Sequence, residues 1–122
     1  MATWDIGTQT FRLSGKSLQF WMGREWLDVW NLKIIENRKD LALEINPLKG
    51  NVKLIRRSER QEPGTSRLIT DLDIVFFDLE NGKTVAMELT EEINKMIREL
   101  CERGVKWSKG KDVSRITPFR EG

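Results

Sequence analysis

Residues 10–30 read TFRLSGKSLQFWMGREWLDVW, and this stretch decides the fold. Two dipeptides that begin with glycine, Gly15-Lys16 and Gly23-Arg24, divide it into three short segments. Glycine at the first central position of a two-residue loop favours a type II′ hairpin turn, because φ must be positive there. We therefore expect three consecutive antiparallel strands joined by two tight turns.

The register that these turns set gives the three strands one wholly apolar face. The expected pairs are Phe11 with Phe20, Leu13 with Leu18, Phe20 with Leu27, and Leu18 with Val29. Side chains alternate between the two faces of a strand, so all of these residues share one side of the sheet. A slip of one residue would break the apolar pairs, and we expect this face to belong to the core.

The other face of the same strands combines tryptophans with polar side chains. It carries Thr10, Arg12, Gln19, Trp21, Trp26, Asp28 and Trp30. The register makes Trp21 and Trp26 a cross-strand pair, which contributes roughly 0.2–1 kcal/mol relative to an Ala–Ala pair. Two interpretations are open: a second layer covers this face, or the indole rings form a binding platform.

The composition limits the chemistry that the chain can perform. The 122 residues include one cysteine and no histidine, which excludes an intrachain disulfide, Ser-His-Asp and Cys-His mechanisms, and histidine metal sites. No apolar run approaches the roughly 18 residues that a membrane span needs. The N-terminus lacks the apolar core of a signal peptide. We expect a cytoplasmic, non-enzymatic protein without cofactor, metal or membrane partner.

Beyond the opening stretch, the strand pattern continues to residue 36 and recurs at residues 41–46, 52–57, 67–79 and 84–89. Asn81-Gly82 is the strongest hairpin signal in the chain. Pairing Glu80 with Lys83 around it would set Phe76 opposite Met87 and Ile74 opposite Leu89. The polar segment RRSERQEPGTSR, residues 56–67, is expected to be a mobile loop.

An amphipathic helix is predicted after the last strand. Thr90 is a good N-cap, and the two glutamates that follow suit the positive end of the helix dipole. The apolar residues at helical spacing are Ile93, Met96, Ile97, Leu100 and Cys101. Gly104 can adopt the left-handed conformation that ends a helix.

These elements predict an α+β fold: about seven antiparallel strands in a strongly curved or barrel-like meander, followed by one C-terminal amphipathic helix. We expect residues 1–104 to form a single domain and residues 105–122 to form a basic tail. Charge is distributed unevenly, since residues 51–70 hold five Lys or Arg against two Glu, whereas residues 71–103 hold four against nine acids. Such segregation favours contact with charged partners.

The leading functional hypothesis is binding of single-stranded DNA or RNA. Bases stack on aromatic rings, and arginine contacts phosphate through two hydrogen bonds. The candidate nucleic-acid-binding residues are Trp21, Trp26, Trp30, Arg12, Lys16, Arg24, Arg56, Arg57 and Arg60. The alternative is a protein–protein interaction module, because Trp and Arg are also enriched at interface hot spots, and the partner could be a second copy in a homodimer.

A third hypothesis is a metal-dependent nuclease. Asp71, Asp73 and Glu88 are expected on one face of paired strands, where clustered carboxylates could hold Mg²⁺. A nuclease of the PD-(D/E)xK kind would also need a lysine two residues after the second acid, and the sequence has none there.

Residues 82–100, GKTVAMELTEEINKMIREL, resemble the last strand and helix of PC4-type transcription coactivators and their bacterial relatives. The family pattern is approximately G-K-G-I-x-L-x-x-E-E before an amphipathic helix, and Gly82-Lys83, Leu89 and Glu91-Glu92 match it in kind. The resemblance covers about residues 51–103. It implies single-stranded DNA binding by a sheet face and basic loops, usually as a dimer.

A second resemblance is architectural. Antiparallel strands followed by one C-terminal helix are similar to a pleckstrin-homology-like domain, which implies an adaptor or a phage-type inhibitor of a host protein.

Overall fold

The computed structural model describes residues 2–37 and 39–105, which form nine β-strands and one α-helix. The strands are β1 (Thr3–Ile6), β2 (Gln9–Ser14), β3 (Ser17–Trp21), β4 (Trp26–Ile35), β5 (Leu41–Asn46), β6 (Asn51–Arg56), β7 (Ser66–Leu68), β8 (Ile74–Leu79) and β9 (Thr84–Glu88). The helix, α1, spans Glu91–Glu102. The expected α+β fold with antiparallel strands and one C-terminal helix is confirmed.

The strands form two antiparallel sheets. The larger sheet has six strands in the order β1-β2-β3-β4-β8-β9, and the smaller has three in the order β6-β5-β7. In the larger sheet, β1 and β9 are edge strands with no ladder between them, so the described strands do not close into a barrel.

The helix, the six-stranded sheet and the three-stranded sheet form three layers, and two apolar clusters lie between them. The first lies between α1 and the inner face of the six-stranded sheet, the face to which Phe11, Phe20 and Phe77 point. The second lies between the opposite, outer face and the three-stranded sheet, and it includes Phe76 and Leu43. The six-stranded sheet is therefore the middle layer, and the small sheet covers its outer face around β8, β9 and the end of β4.

The register predicted for the opening strands is confirmed. Phe11 pairs with Phe20, Leu13 with Leu18, and Phe20 with Leu27. Gly15 and Gly23 have φ values of 61° and 90°, as the hairpin turns require. The apolar face of these strands is buried in the first cluster.

The segment predicted as one strand over residues 67–79 is instead two strands in different sheets. Between β7 and β8, the Thr70 hydroxyl accepts the Leu72 backbone N–H at 3.0 Å, and the Asp73 carboxylate accepts the Asn37 N–H at 3.2 Å. Side chains that bond nearby backbone groups compete with the ladder, so the polar sequence of residues 70–73 ends one strand before the next begins. The other additional strand is β1, which precedes the stretch in which the sequence predicted strands.

The predicted register of the last hairpin is wrong by one residue. Leu79, not Glu80, bonds to Lys83, with Leu79 N–H donating to the Lys83 carbonyl at 2.8 Å. Asn81 has no positive φ, which a two-residue type I′ turn would need, and its side-chain oxygen accepts the Lys83 N–H at 3.0 Å. The loop therefore has three residues, with Gly82 at φ 85°. Phe76 consequently pairs with Ala86 and Ile74 with Glu88.

The helix begins and ends as predicted. The Thr90 hydroxyl accepts the Ile93 N–H at 3.4 Å, and Gly104 has φ 65°. Val105 returns to the core, with 5% of its surface exposed. The remainder of the predicted basic tail, residues 106–122, lies outside the described residues. No helix in the described part is long and apolar enough to cross a bilayer.

Candidate binding surface

The outer face of β2, β3 and the start of β4 is not covered by the small sheet. Four of the predicted site residues lie on this face, and a fifth, Arg24, lies in the adjoining turn between β3 and β4. We call these five the Trp surface: Arg12, Trp21, Arg24, Trp26 and Trp30. Trp21 and Trp30 are 39% and 38% exposed, whereas Trp26 is half-buried. Of the two interpretations that the sequence left open, a covering second layer is therefore excluded within the described chain.

The two cross-strand tryptophans and one arginine form a compact stack. Trp21 pairs with Trp26 as predicted, with ring centroids 5.3 Å apart and planes inclined at 53°. The Arg12 guanidinium carbon lies 4.2 Å from the centroid of the Trp26 ring. Arg12 therefore occupies one face of Trp26, and Trp21 is the more accessible ring of the pair.

A row of hydrogen bonds crosses the strands beside this stack. Arg12 Nε donates to Gln19 Oε1 at 2.7 Å, and Gln19 Nε2 donates to Asp28 Oδ1 at 2.9 Å. The backbone N–H of Asp28 in turn donates to Glu80 Oε1 at 3.0 Å. These side chains fix the position of Arg12 over Trp26, so the surface is preformed.

Trp30 owes its position to a β-bulge. Val29 pairs with Leu79 and Asn31 with Asp78, so Trp30 has no partner across the ladder. A bulge bends its strand and changes the direction of the extra side chain. Trp30 lies four residue steps beyond Trp26, which is roughly 13 Å along an extended strand.

The arginines of the basic segment, residues 53–67, lie elsewhere. Strand β4 runs from Trp26 to Ile35, nine residue steps or roughly 30 Å. The basic segment adjoins the far end, since the Arg57 N–H donates to the Asp40 carbonyl at 2.8 Å. The structure thus does not bring Arg56, Arg57 and Arg60 together with the Trp surface.

Two of these three arginines form ion pairs or hydrogen bonds within the protein. Arg56 forms an ion pair with Asp40 at 3.1 Å. Arg57 donates to the carbonyl oxygens of Leu41 and Thr70 and lies 4.0 Å from the Asp71 carboxylate. Arg60 is exposed.

The loop expected to be mobile is instead held to the small sheet by Glu44. Its carboxylate, only 3% exposed, accepts the Glu62 N–H at 2.8 Å and the Thr65 hydroxyl at 3.2 Å, and pairs with Lys53 at 3.2 Å. These contacts, led by the Glu62 N–H, lower the pKa of Glu44. Hydrogen bonds to Glu62 and Glu44 raise the pKa of Lys53. Arg67 also donates to the carbonyls of Arg57 and Glu59.

Lys16 does not join the Trp surface either. Its ammonium group lies at the end of α1, with Nζ 3.7 Å from the position that a Cβ atom on Gly104 would occupy. A cation is favourable there because the helix dipole is negative at its C-terminal end.

The carboxylates proposed for a nuclease are not assembled into a site. Asp71 faces Arg57, and Asp73 accepts the Asn37 N–H. In the part of the chain that the structure describes, no group of three or more Asp, Glu, Cys or His residues could hold a metal ion. The hypothesis of a metal-dependent nuclease therefore loses its geometric basis.

The sequence placed Gln19 and Asp28 on this face, but neither they nor Glu80 were among the candidate site residues. The predicted register sets Arg12 opposite Gln19 and Gln19 opposite Asp28, so the hydrogen bonds among these three side chains could have been predicted. Glu80 could not be found, because it joins Asp28 across a sequence separation of 52 residues.

Comparison with known proteins adds no assignment: no protein-family model, curated protein or solved structure matches this chain.

Proposed function

We propose that this protein is a non-enzymatic binding module that recognises another protein through the Trp surface. The observation that carries the proposal is the fixed stack of Arg12 on Trp26, flanked by the exposed ring of Trp21. Trp and Arg are the residues most enriched at interface hot spots, and a preformed surface loses little side-chain entropy on binding. In this role the protein would act as an adaptor or as an inhibitor of its partner.

The local charge favours a protein over a nucleic acid. Around the stack, Arg12 and Arg24 are matched by the carboxylates of Glu25, Asp28 and Glu80. Nucleic-acid affinity depends on cations that neutralise phosphates, and this surface offers no cationic excess. The expected partner surface has an apolar centre for Trp21 and a rim of mixed charge.

Affinity capture with matched variants tests this proposal. The bait proteins are the wild type, Trp21→Ala, and Leu48→Ala as the control, because Leu48 is 92% exposed in the turn between β5 and β6. The partner should be retained by the wild type and the control and lost by Trp21→Ala. After purification, it should bind Trp21→Ala about 30-fold more weakly, the effect of a hot spot of about 2 kcal/mol. Equal binding by all three proteins would refute the proposal.

Single-stranded nucleic acid is the second candidate, and the exposure of Trp21 and Trp30 favours it. Bases can stack on such rings, and Arg24, in the turn between β3 and β4, could contact a phosphate. Titration with single-stranded DNA or RNA should then quench tryptophan fluorescence at low salt and recover it at high salt. Such quenching, weakened by Trp21→Ala but not by Leu48→Ala, would replace the protein partner with a nucleic acid.

A homodimer, a relation to the PC4-type coactivators and a cytoplasmic location are also proposals. A homodimer through the Trp surface would show as a concentration-dependent mass in sedimentation equilibrium, abolished by Trp21→Ala. A relation to the PC4-type coactivators would require the nucleic-acid outcome. A cytoplasmic location agrees with a single cysteine, because structural disulfides form in oxidising compartments.

A further inference from the structure

A second surface of the protein is suited to binding an extended peptide. Strand β1 lies at the edge of the six-stranded sheet and, among the described strands, pairs only with β2. The Leu13 N–H donates to the Ala2 carbonyl at 2.9 Å. In an antiparallel ladder the bonded residues alternate, so the backbone groups of Trp4 and Ile6 also face β2. Those of Thr3 and Asp5 consequently point away from the sheet.

This free edge borders a groove beside the helix. The groove has a volume of about 300 Å³ and lies between Thr3–Ile6 and the side chains of Glu92, Lys95, Met96 and Glu99. Met96 is fully buried and supplies an apolar floor. Edge strand, helix flank and apolar floor are the elements of peptide recognition by strand addition, in which backbone bonds give affinity and alternate side chains give specificity.

The charge of the groove indicates what kind of peptide it takes. Two carboxylates, those of Glu92 and Glu99, line it together with one ammonium group, that of Lys95, whereas the Asp5 carboxylate accepts the Thr10 hydroxyl at 2.9 Å on the other face of β1. A second copy of the chain paired through the same edge would bring two acidic grooves together, which electrostatic repulsion opposes. A segment with lysine or arginine at alternate positions would instead be attracted.

We propose that β1 and α1 bind an extended, basic peptide segment of a partner protein, which adds to the sheet as a strand next to β1. The peptide exchanges backbone hydrogen bonds with Thr3 and Asp5. Its basic side chains, which share one face of the added strand, meet Glu92 and Glu99. This groove is separate from the Trp surface and does not require the function proposed for it.

The test uses a fluorescein-labelled probe with the sequence Lys-Val-Lys-Val-Lys-Val-Lys, blocked at both ends, and measures fluorescence anisotropy. We expect saturable binding to the wild type and none for the corresponding Glu-Val probe. Asp5→Asn removes the charge and keeps the outward N–H. Asp5→Pro removes both, and proline is tolerated on an edge strand when the missing N–H faces away from the ladder. Asp5→Pro should bind about tenfold more weakly than Asp5→Asn, because a backbone hydrogen bond is lost.

A second measurement needs no protein variant, so a failure of Asp5→Pro to fold does not affect it. Two probes are N-methylated at alternate residues in opposite phases, so that their free N–H groups lie on opposite edges of the peptide. Strand addition predicts that only one of the two binds the wild-type protein. Equal binding by both, or equal affinity of Asp5→Pro and Asp5→Asn, would reduce the interaction to non-specific charge attraction and overturn the proposal. So would a failure of the Lys-Val probe to bind.

Trp21→Ala should leave probe binding unchanged. Loss of the Trp-surface partner and loss of peptide binding are therefore separate outcomes.

Discussion

The contact of Arg12 with Trp26 should be measurable as a coupling energy. Arg12→Ala removes a cation–π contact at 4.2 Å, which contributes about 0.5–1 kcal/mol at a partly exposed site. It also removes the 2.7 Å hydrogen bond to Gln19, which contributes about 1 kcal/mol. We expect Arg12→Ala to lower the free energy of unfolding by about 1.5–2 kcal/mol and the Tm by roughly 4–9 °C.

A double-mutant cycle isolates the part of this loss in the free energy of unfolding that comes from the contact with the indole ring. Trp26→Leu keeps an apolar side chain and removes the aromatic face. If Arg12 stacks on Trp26, the double variant should lose about 0.5–1 kcal/mol less than the sum of the single variants. Unfolding in urea is followed by far-UV circular dichroism, because tryptophan fluorescence would change with the substitution itself.

Arg24 provides the control for this cycle. It lies in the turn next to Trp26 but makes no hydrogen bond, ion pair or ring contact with the described chain. Arg24→Ala and Trp26→Leu should therefore be additive within about 0.3 kcal/mol. If the Arg12 cycle is equally additive, the guanidinium does not stack on the indole, and the preformed surface on which the proposed function rests is incorrect.

Two further predictions concern the fold. Thr90→Ala should lower the free energy of unfolding by about 1 kcal/mol, because the Ile93 N–H loses the hydroxyl that caps it. Thr90→Ser keeps a hydroxyl at this position and should retain most of the wild-type stability in the same urea experiment. Glu44→Gln tests the attachment of the loop over residues 57–65. Because the pKa of Glu44 is lowered in the folded protein, its contribution is present above its ordinary pKa of 4.5 and is lost as the pH falls through the lowered value. The difference in urea midpoint between wild type and Glu44→Gln should therefore be largest near neutral pH and shrink in acid. A difference independent of pH would show that the Glu44 charge does not hold the loop.

The local part of this fold could be predicted from the sequence because its signals are short-range. Glycine at the first central position of each opening turn set the register of three strands and placed Trp21 opposite Trp26. The same logic failed at Asn81, whose side chain bonds the Lys83 N–H and favours a three-residue loop. A dipeptide signal identifies a hairpin here but does not decide between loop lengths.

The long-range part could not be predicted, because it depends on contacts between distant segments. Nothing local in residues 67–79 shows that Leu68 packs in the small sheet while Ile74 belongs to the large one. The separation of the basic segment from the Trp surface follows from that division. Glu44 shows the same limit: it is a charged residue between Leu43 and Ile45 in β5, and the distant loop over residues 57–65 folds back and covers it.

Site-specific photo-cross-linking is the most direct test of the Trp surface as a protein-binding site. A photoreactive phenylalanine analogue replaces Trp21 in one protein, Trp30 in a second and Leu48 in a third, and each is irradiated in an extract of the source cells. We predict one discrete protein adduct shared by positions 21 and 30 and absent at position 48. Adducts of the same pattern at all three positions, or an adduct to nucleic acid at position 21, would contradict a protein partner at this surface.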